Sequence, residues 1–102
     1  VQICDFGFAR EQNWEQNAMT EYVVTKHYRA PEIMLNAQNY QKAVDIWSVG
    51  CTIYELVTGK TLFNAKNYLE LIKMFVSVLG TPDESSLEFI KEANAKNFIK
   101  SL

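Results

Sequence analysis

Residues 43–58 decide the fold, and they read AVDIWSVGCTIYELVT. Polar side chains recur along this stretch at steps of three and four, at Asp45, Ser48, Thr52 and Glu55. This spacing predicts an α-helix with one narrow polar stripe, and a helix that is apolar around most of its circumference is expected to be buried. Gly59 follows directly and is well placed to end the helix in a left-handed cap.

Helical patterns continue towards the C-terminus. From about Asn67 to Leu79 the polar positions again form one stripe, and Gly80 is expected to end that helix. The sequence Thr81-Pro82-Asp83-Glu84 predicts a further helix start with a capping box. The last segment has apolar residues at helical spacing, namely Ala95, Phe98, Ile99 and Leu102.

The N-terminal third of the chain is patterned differently. Residues 1–4 alternate between apolar and polar, which predicts the end of a short strand. Residues 5–29 show no sustained periodicity, and a loop of this length inside a compact domain is usually functional. Pro31 then suits the first turn of a short helix that runs to about Leu35.

Length and composition limit the class of protein. The chain has 102 residues, of which 48% are hydrophobic and 22% charged, and its net charge is −2. These values fit one globular domain at most, exclude a disordered chain and provide no basic surface for nucleic acid. No apolar run reaches membrane length, so no membrane partner is expected. Cys4 and Cys51 are too few for a disulfide scaffold, and both thiols are expected to be buried and reduced.

Two short motifs bracket the unpatterned loop. Asp5-Phe6-Gly7 follows the strand fragment, and Ala30-Pro31-Glu32 lies 25 residues further on. Taken alone, the first is an ordinary turn and the second an ordinary helix start. Together, in this order and followed by the apolar helix that contains Asp45-Ile46-Trp47, they resemble the two ends of a protein-kinase activation segment.

The loop between the motifs narrows the resemblance. Thr20-Glu21-Tyr22, followed by residues 23–32, is similar to the activation lip of the mitogen-activated protein (MAP) kinases, in the form of their extracellular-signal-regulated branch. Residues 33–36, 59–60, 66–69 and 79–82 are also similar to that family, so the resemblance covers essentially all 102 residues. It implies a mainly α chain that is part of the C-terminal lobe of the protein-kinase-like α+β fold, with a short N-terminal strand, then the activation loop, then helices.

The resemblance also implies an organisation and a metal ligand. Residues 1–102 would form a partial protein kinase domain, with the metal-binding motif and activation segment in 1–32, core helices in 33–80 and the start of the MAP-kinase-type insert in 81–102. Asp5 is implied to be the catalytic group that holds Mg²⁺ against the ATP phosphates, because a hard dication prefers a carboxylate. Phe6 is implied to set the direction of Asp5 by its packing, and Gly7 to permit the backbone turn.

Thr20 and Tyr22 are implied to be regulatory phosphorylation sites. Each phosphate adds roughly −1.5 to −2 charges and therefore needs cations nearby. Arg10 is implied to pair with the phosphothreonine, and Lys26 with Arg29 to pair with the phosphotyrosine, which would order the loop. The alternative is that these three cations are ordinary solvated loop charges.

The residues after the lip are implied to form a substrate pocket that accepts proline. The pocket residues are Val23, Val24, Thr25, Lys26, His27, Tyr28 and Arg29. Thr25 is further implied to support catalysis by holding the catalytic Asp through a hydrogen bond. Tyr28 is expected to act in packing rather than in chemistry.

Two acidic residues are candidates for structural support, and three stretches depart from the family pattern. Asp45 is expected to offset the helix dipole, and the resemblance adds a role in fixing the catalytic loop. Glu32 is implied to pair with a downstream arginine, but no arginine follows position 29.

Lys26 replaces a usual arginine and cannot make its planar bidentate contact. His27 stands where an aromatic residue is usual, and the stretch 63–65 lacks a common Pro-Gly.

The resemblance implies a proline-directed serine/threonine kinase that uses ATP and Mg²⁺. Its expected partners are proteins with Ser-Pro or Thr-Pro sites, an upstream dual-specificity kinase and phosphatases, in the cytoplasm, with the nucleus left open as a second compartment. The 102 residues contain no Gly-rich phosphate loop, ATP-anchoring strand lysine or His-Arg-Asp catalytic loop, so the chain alone is expected to be inactive. The alternative is a non-catalytic pseudokinase or truncated product that binds partners through helix 67–79 and the insert.

Overall fold

The structure is a computed structural model, and it describes residues 1–9, 26–35, 42–88 and 90–102. Four α-helices are found in this part of the chain: α1 spans Pro31–Met34, α2 Ala43–Thr58, α3 Tyr68–Leu79 and α4 Ala93–Lys100. Short 3-10 helical turns lie at Phe6–Phe8, Lys26–Tyr28 and Ser85–Leu87. The described residues contain no β-strand, so the prediction of a mainly α chain is confirmed. None of their helices is long and apolar enough to cross a membrane.

The helices begin and end where local sequence signals place them. Helix α2 has the predicted bounds, and Gly59 ends it in the left-handed conformation (φ 70°, ψ 12°). Pro31 is the first residue of α1, where its missing N–H costs no hydrogen bond. Asn67 caps α3, because its side-chain oxygen accepts the backbone N–H of Glu70 at 2.9 Å.

Three aromatic rings join α2 to α3. Trp47 of α2 stacks on Phe63 with ring centroids 5.6 Å apart, and it meets Phe75 of α3 edge-on at 5.2 Å. Phe63 and Phe75 also meet edge-on, at 4.7 Å. Phe63 belongs to the connection between the helices, so a loop residue fills the space between them. Three more buried side chains complete this cluster, namely Cys51, Ala65 and Leu71.

A second, smaller core joins the C-terminal segment to α3. Leu87, Ile90 and Ile99 are buried together, and partly buried side chains of α3 pack against them, namely Ile72 and Val76. Residues 90–102 are thus held to the helix by apolar contact. Glu84 and Lys100 also form an ion pair in this segment, but both are exposed, and such pairs contribute little to stability.

The predicted strand at residues 1–4 is wrong. These residues are exposed and have no regular structure. A strand satisfies its backbone groups by pairing with a second strand, and the described residues provide none. Cys4 is exposed with them, so the expectation of two buried thiols holds only for Cys51.

The predicted helix start at residues 81–84 is also wrong. Residues 81–83 are not helical, and only the 3-10 turn at Ser85–Leu87 follows. Asp83 takes the capping role instead: its carboxylate accepts the Ser86 N–H at 2.8 Å and the Ser85 hydroxyl at 3.0 Å, which lowers the pKa of Asp83. Glu84 is engaged with Lys100, so the reciprocal bonds of a capping box do not form.

Helix α2 is not a buried helix within the described chain, contrary to its pattern. Cys51 is its one buried residue. Apolar side chains elsewhere on it are open to solvent, including Ile46 at 71% and Val57 at 81% exposure. An apolar surface of this kind commonly marks an interaction face or an aggregation liability.

We expect the 102-residue chain to self-associate through this face of α2. Replacing both Ile46 and Val57 with lysine should shift the chain towards monomer in size-exclusion chromatography with light scattering. The matched control is Leu69→Lys with Val78→Lys, which changes two exposed apolar residues of α3. A monomeric unsubstituted chain with a sharp cooperative melt would contradict the prediction.

Candidate functional site

Residues 26–32 form the described part of the predicted lip and pocket. The 3-10 turn at Lys26–Tyr28 is closed by the backbone N–H of Arg29, which donates to the Lys26 carbonyl at 3.2 Å. Ala30 is extended (φ −65°, ψ 148°), as expected of a residue that precedes proline. The chain therefore passes from a tight turn into α1 through two residues, Arg29 and Ala30.

Tyr28 is fastened to α2. Its phenol O–H donates to Glu55 Oε2 at 2.6 Å, and its backbone carbonyl accepts the Ser48 Oγ–H at 2.8 Å. The carboxylate of Glu55 raises the pKa of Tyr28, because the hydrogen bond favours the protonated phenol. The Tyr28 side chain also packs against the buried cluster that contains Phe63 and Phe75. Hydrogen bonds and apolar contact thus hold the same residue.

Lys26 and Arg29 converge on Tyr68, the first residue of α3. Arg29 Nη1 donates to the Tyr68 hydroxyl at 3.1 Å. Lys26 Nζ lies 5.9 Å from the centroid of the Tyr68 ring, within the range of a cation–π contact. Lys26 is exposed, whereas Arg29 is 5% and Tyr68 43% exposed. Two cations predicted to pair with phosphate therefore share one phenol.

The other described residues around the pocket have simpler surroundings. His27 is half-buried, and its ring lies 6.4 Å from that of Tyr28 at a tilt of 42°. Glu32 is half-buried in the first turn of α1 and lines an apolar cavity between α1 and α3. Asp45 is exposed in the first turn of α2, where its charge opposes the helix dipole.

Asp5 begins the N-terminal turn in the left-handed conformation (φ 63°, ψ 68°). This is uncommon for a residue other than glycine, although Asp tolerates it better than most. Gly7 lies inside the 3-10 turn Phe6–Phe8 without a positive φ, which among the described glycines only Gly59 and Gly80 have, and its implied role in permitting the turn stays a prediction. Phe6 is 68% exposed, so it does not hold Asp5 by packing in this structure.

The donor chemistry of Asp5 fits a role as one ligand of Mg²⁺. Its carboxylate is exposed and makes no capping hydrogen bond, so both oxygens can meet a cation. The part of the chain that the structure describes holds no group of three or more His, Cys, Asp or Glu side chains that could bind a metal by themselves. Proteins often hold Mg²⁺ through one or two carboxylates together with substrate phosphates, which suits a single Asp.

Six predicted site residues lie outside the described residues. They are Arg10, Thr20, Tyr22, Val23, Val24 and Thr25. Their assigned roles in phosphate pairing, phosphorylation, the substrate pocket and support of catalysis stay predictions.

Comparison with known proteins settles the family. The model of the protein kinase domain matches residues 1–102. The chain belongs to the protein kinase family. It is 49% identical to mitogen-activated protein kinase 13 of Arabidopsis thaliana over all of its own length and 28% of that protein. It is 52% identical to the mitogen-activated protein kinase MKC1 of Candida albicans over 106 residues, again over all of its own length and 21% of that protein.

These relatives confirm the predicted MAP kinase family, and the extracellular-signal-regulated branch stays a prediction. Mitogen-activated protein kinase 6 of Oryza sativa subsp. japonica is a further one, 46% identical over all of the chain and 27% of that protein. The chain therefore spans about a quarter of the length of the curated MAP kinases it matches.

Three residues of this kinase segment were not predicted as site residues: Ser48, Glu55 and Tyr68. The polar stripe of α2 contained a signal for the first two, because polar side chains on an apolar helix usually need partners. Tyr68 had no such signal. Its contact with Arg29 joins residues 39 positions apart, and local patterns do not report on pairs of that separation.

We expect Tyr28→Phe to loosen the kinase segment 26–30 without unfolding it, because the ring packing stays and the bond to Glu55 is lost. Hydrogen–deuterium exchange at these backbone amides in the full-length protein should rise about threefold to tenfold. Tyr54→Phe is the matched control, because it removes an exposed phenol hydroxyl from α2, the helix that carries Glu55. Equal exchange in the two variants would mean that packing alone holds Tyr28.

Proposed function

We propose that the full-length protein that carries this chain is a proline-directed serine/threonine kinase of the MAP kinase type. It transfers the γ-phosphate of ATP, with Mg²⁺, to a Ser or Thr hydroxyl that precedes proline in a protein. Family membership over residues 1–102 supports the reaction class, and the names of the relatives support the branch.

One structural observation carries the proposal on the substrate side: Tyr28 fastens the segment 26–29 to α2. A pocket that selects the residue beside the phosphoacceptor has to be held rigidly, because small misplacements of a substrate reduce the reaction rate strongly. The bonds of Tyr28 to Glu55 and Ser48 provide such a support from a helix rather than from a loop. The residues that would contact proline are 23–29.

The proposed transfer follows the general course of phosphoryl transfer. The substrate hydroxyl oxygen bonds to the γ-phosphorus, the bond from this phosphorus to the β–γ bridging oxygen breaks, and ADP leaves. The hydroxyl proton passes to a catalytic-loop Asp of the full-length kinase, a motif that residues 1–102 do not include. Asp5 would hold Mg²⁺, which when bound neutralises the charge that develops on the transferred group.

Phosphorylation of Thr20 and Tyr22 is proposed to activate the kinase. Arg10 would pair with the phosphothreonine, and Lys26 with Arg29 would pair with the phosphotyrosine. Lys26 and Arg29 both contact Tyr68, so their two positive charges lie close together. This proximity supports the proposal that both pair with one phosphate. An upstream dual-specificity kinase and phosphatases would set the phosphorylation state, and the protein would act in the cytoplasm, with the nucleus left open.

The activity is tested with the purified full-length protein after treatment with an activating dual-specificity kinase. We expect phosphate transfer to a Thr-Pro peptide in preference to its Thr-Ala counterpart, measured with labelled ATP. Asp5→Ala should lower kcat by at least about a hundredfold. Glu88→Ala changes an exposed carboxylate of the C-terminal segment and serves as the matched control. Absence of transfer, despite phosphorylation of Thr20 and Tyr22, would favour the non-catalytic binding module.

The same assay tests the isolated chain. We expect residues 1–102 alone to transfer no phosphate, because the strand lysine and the catalytic loop of the family pattern are not among them. Transfer by the isolated chain above the level of its Asp5→Ala variant would overturn this expectation.

A further inference from the structure

Lys26 and Arg29, which are proposed to bind a phosphate, are both in contact with Tyr68 in this structure. Arg29 is 5% exposed, and Tyr68 is one of the groups that occupy it, through the bond from Nη1 to the phenol oxygen at 3.1 Å. The ring of Tyr68 also lies beneath the Lys26 ammonium. A phosphate that arrives from solvent can reach the guanidinium only if a group that covers it moves away.

We propose that Tyr68 competes with phosphate for Lys26 and Arg29, so that these three residues form a phosphomonoester site that Tyr68 holds closed. The inference rests on the proposed function in one respect, namely that phosphotyrosine is the natural occupant. The contacts themselves involve only described residues, and they assign a regulatory role to Tyr68.

The chemistry of the two occupants explains how such a competition can switch. The neutral phenol oxygen accepts a single N–H of Arg29, and cation–π contacts at exposed positions are weak. A phosphate dianion offers three oxygens and can accept two parallel N–H bonds from a guanidinium, with charge assistance. A phosphorylated side chain can therefore displace the phenol, whereas an unmodified tyrosine brings no advantage over Tyr68.

Tyr68 can leave its position without breaking α3. It is 43% exposed and stands at the first position of the helix, so a rotation about its side-chain bonds carries the ring towards solvent. Its neighbours fix the helix start independently: Asn67 caps the Glu70 N–H, and the Glu70 carboxylate accepts the Lys66 N–H at 2.8 Å.

The first experiment titrates phenyl phosphate into the unphosphorylated full-length protein by isothermal titration calorimetry. Tyr68→Phe removes the hydroxyl that accepts the Nη1–H of Arg29 and should bind the probe about threefold to tenfold more tightly than the unsubstituted protein. Tyr54→Phe, which removes an exposed phenol from α2, should leave the affinity unchanged. Lys26→Met in the Tyr68→Phe background should reverse the gain. Unchanged or weaker binding by Tyr68→Phe would overturn the proposal.

The second experiment follows removal of phosphate from Tyr22 by a tyrosine phosphatase, after phosphorylation of the full-length kinase. A phosphotyrosine freed from competition should be better protected, so Tyr68→Phe should lose phosphate about threefold to tenfold more slowly than the Tyr54→Phe control. Equal or faster loss would count against the competition. If Tyr22 accepts no phosphate, the proposed function fails at that point, and the phenyl phosphate titration still decides the role of Tyr68.

Discussion

The contact among Trp47, Phe63 and Phe75 is the interaction on which the rest of the described structure depends. It sets α3 against α2, and each helix then presents one group to the segment 26–29. Helix α2 offers Glu55 to Tyr28, and α3 offers Tyr68 to Arg29. Because two consecutive residues are held by two different helices, their geometry is defined only while the three rings keep the helices in register. Edge-on and stacked ring pairs contribute about 0.5–1.5 kcal/mol each beyond their burial, so the three pairs stabilise the packing of α2 against α3.

Helix α2 divides its surface in an unusual way. In most helices at a protein surface, the polar side faces solvent and the apolar side faces the core. Here the polar stripe carries Ser48 and Glu55, whose bonds to Tyr28 hold residues 26–29 against α2, while Ile46 and Val57 are exposed. The relatives of this chain are about four times as long. Such a helix suits the interior of a larger domain. Apolar neighbours would cover its exposed apolar side chains, and the polar stripe would keep its bonds to Tyr28.

The elements that local chemistry controls could be predicted from the sequence. Periodicity placed α2 and α3 within a residue of their bounds, and Gly59 and Gly80 end them as expected. The failures concern features whose partners lie outside the local sequence. Residues 1–4 find no second strand among the described residues, α2 has no neighbours over its apolar faces there, and Asp83 and Glu84 bond to other donors than those of a capping box. In the candidate site, the surrounding motif was enough to select Lys26 and Arg29 as candidate site residues. Their convergence on Tyr68 could not, because it depends on how α3 packs and not on any neighbouring residue.

The connection between α2 and α3 has a consequence for how this part of the chain can change in length. Surface loops usually accept added or deleted residues at little cost. Residues 59–67 are different, because Phe63 and Ala65 are buried between the helices they connect. One residue added before Phe63 would move its ring out of the stack with Trp47, and one residue removed would do the same in the other direction. The packing of the core therefore makes residues 59–67 intolerant of added or deleted residues.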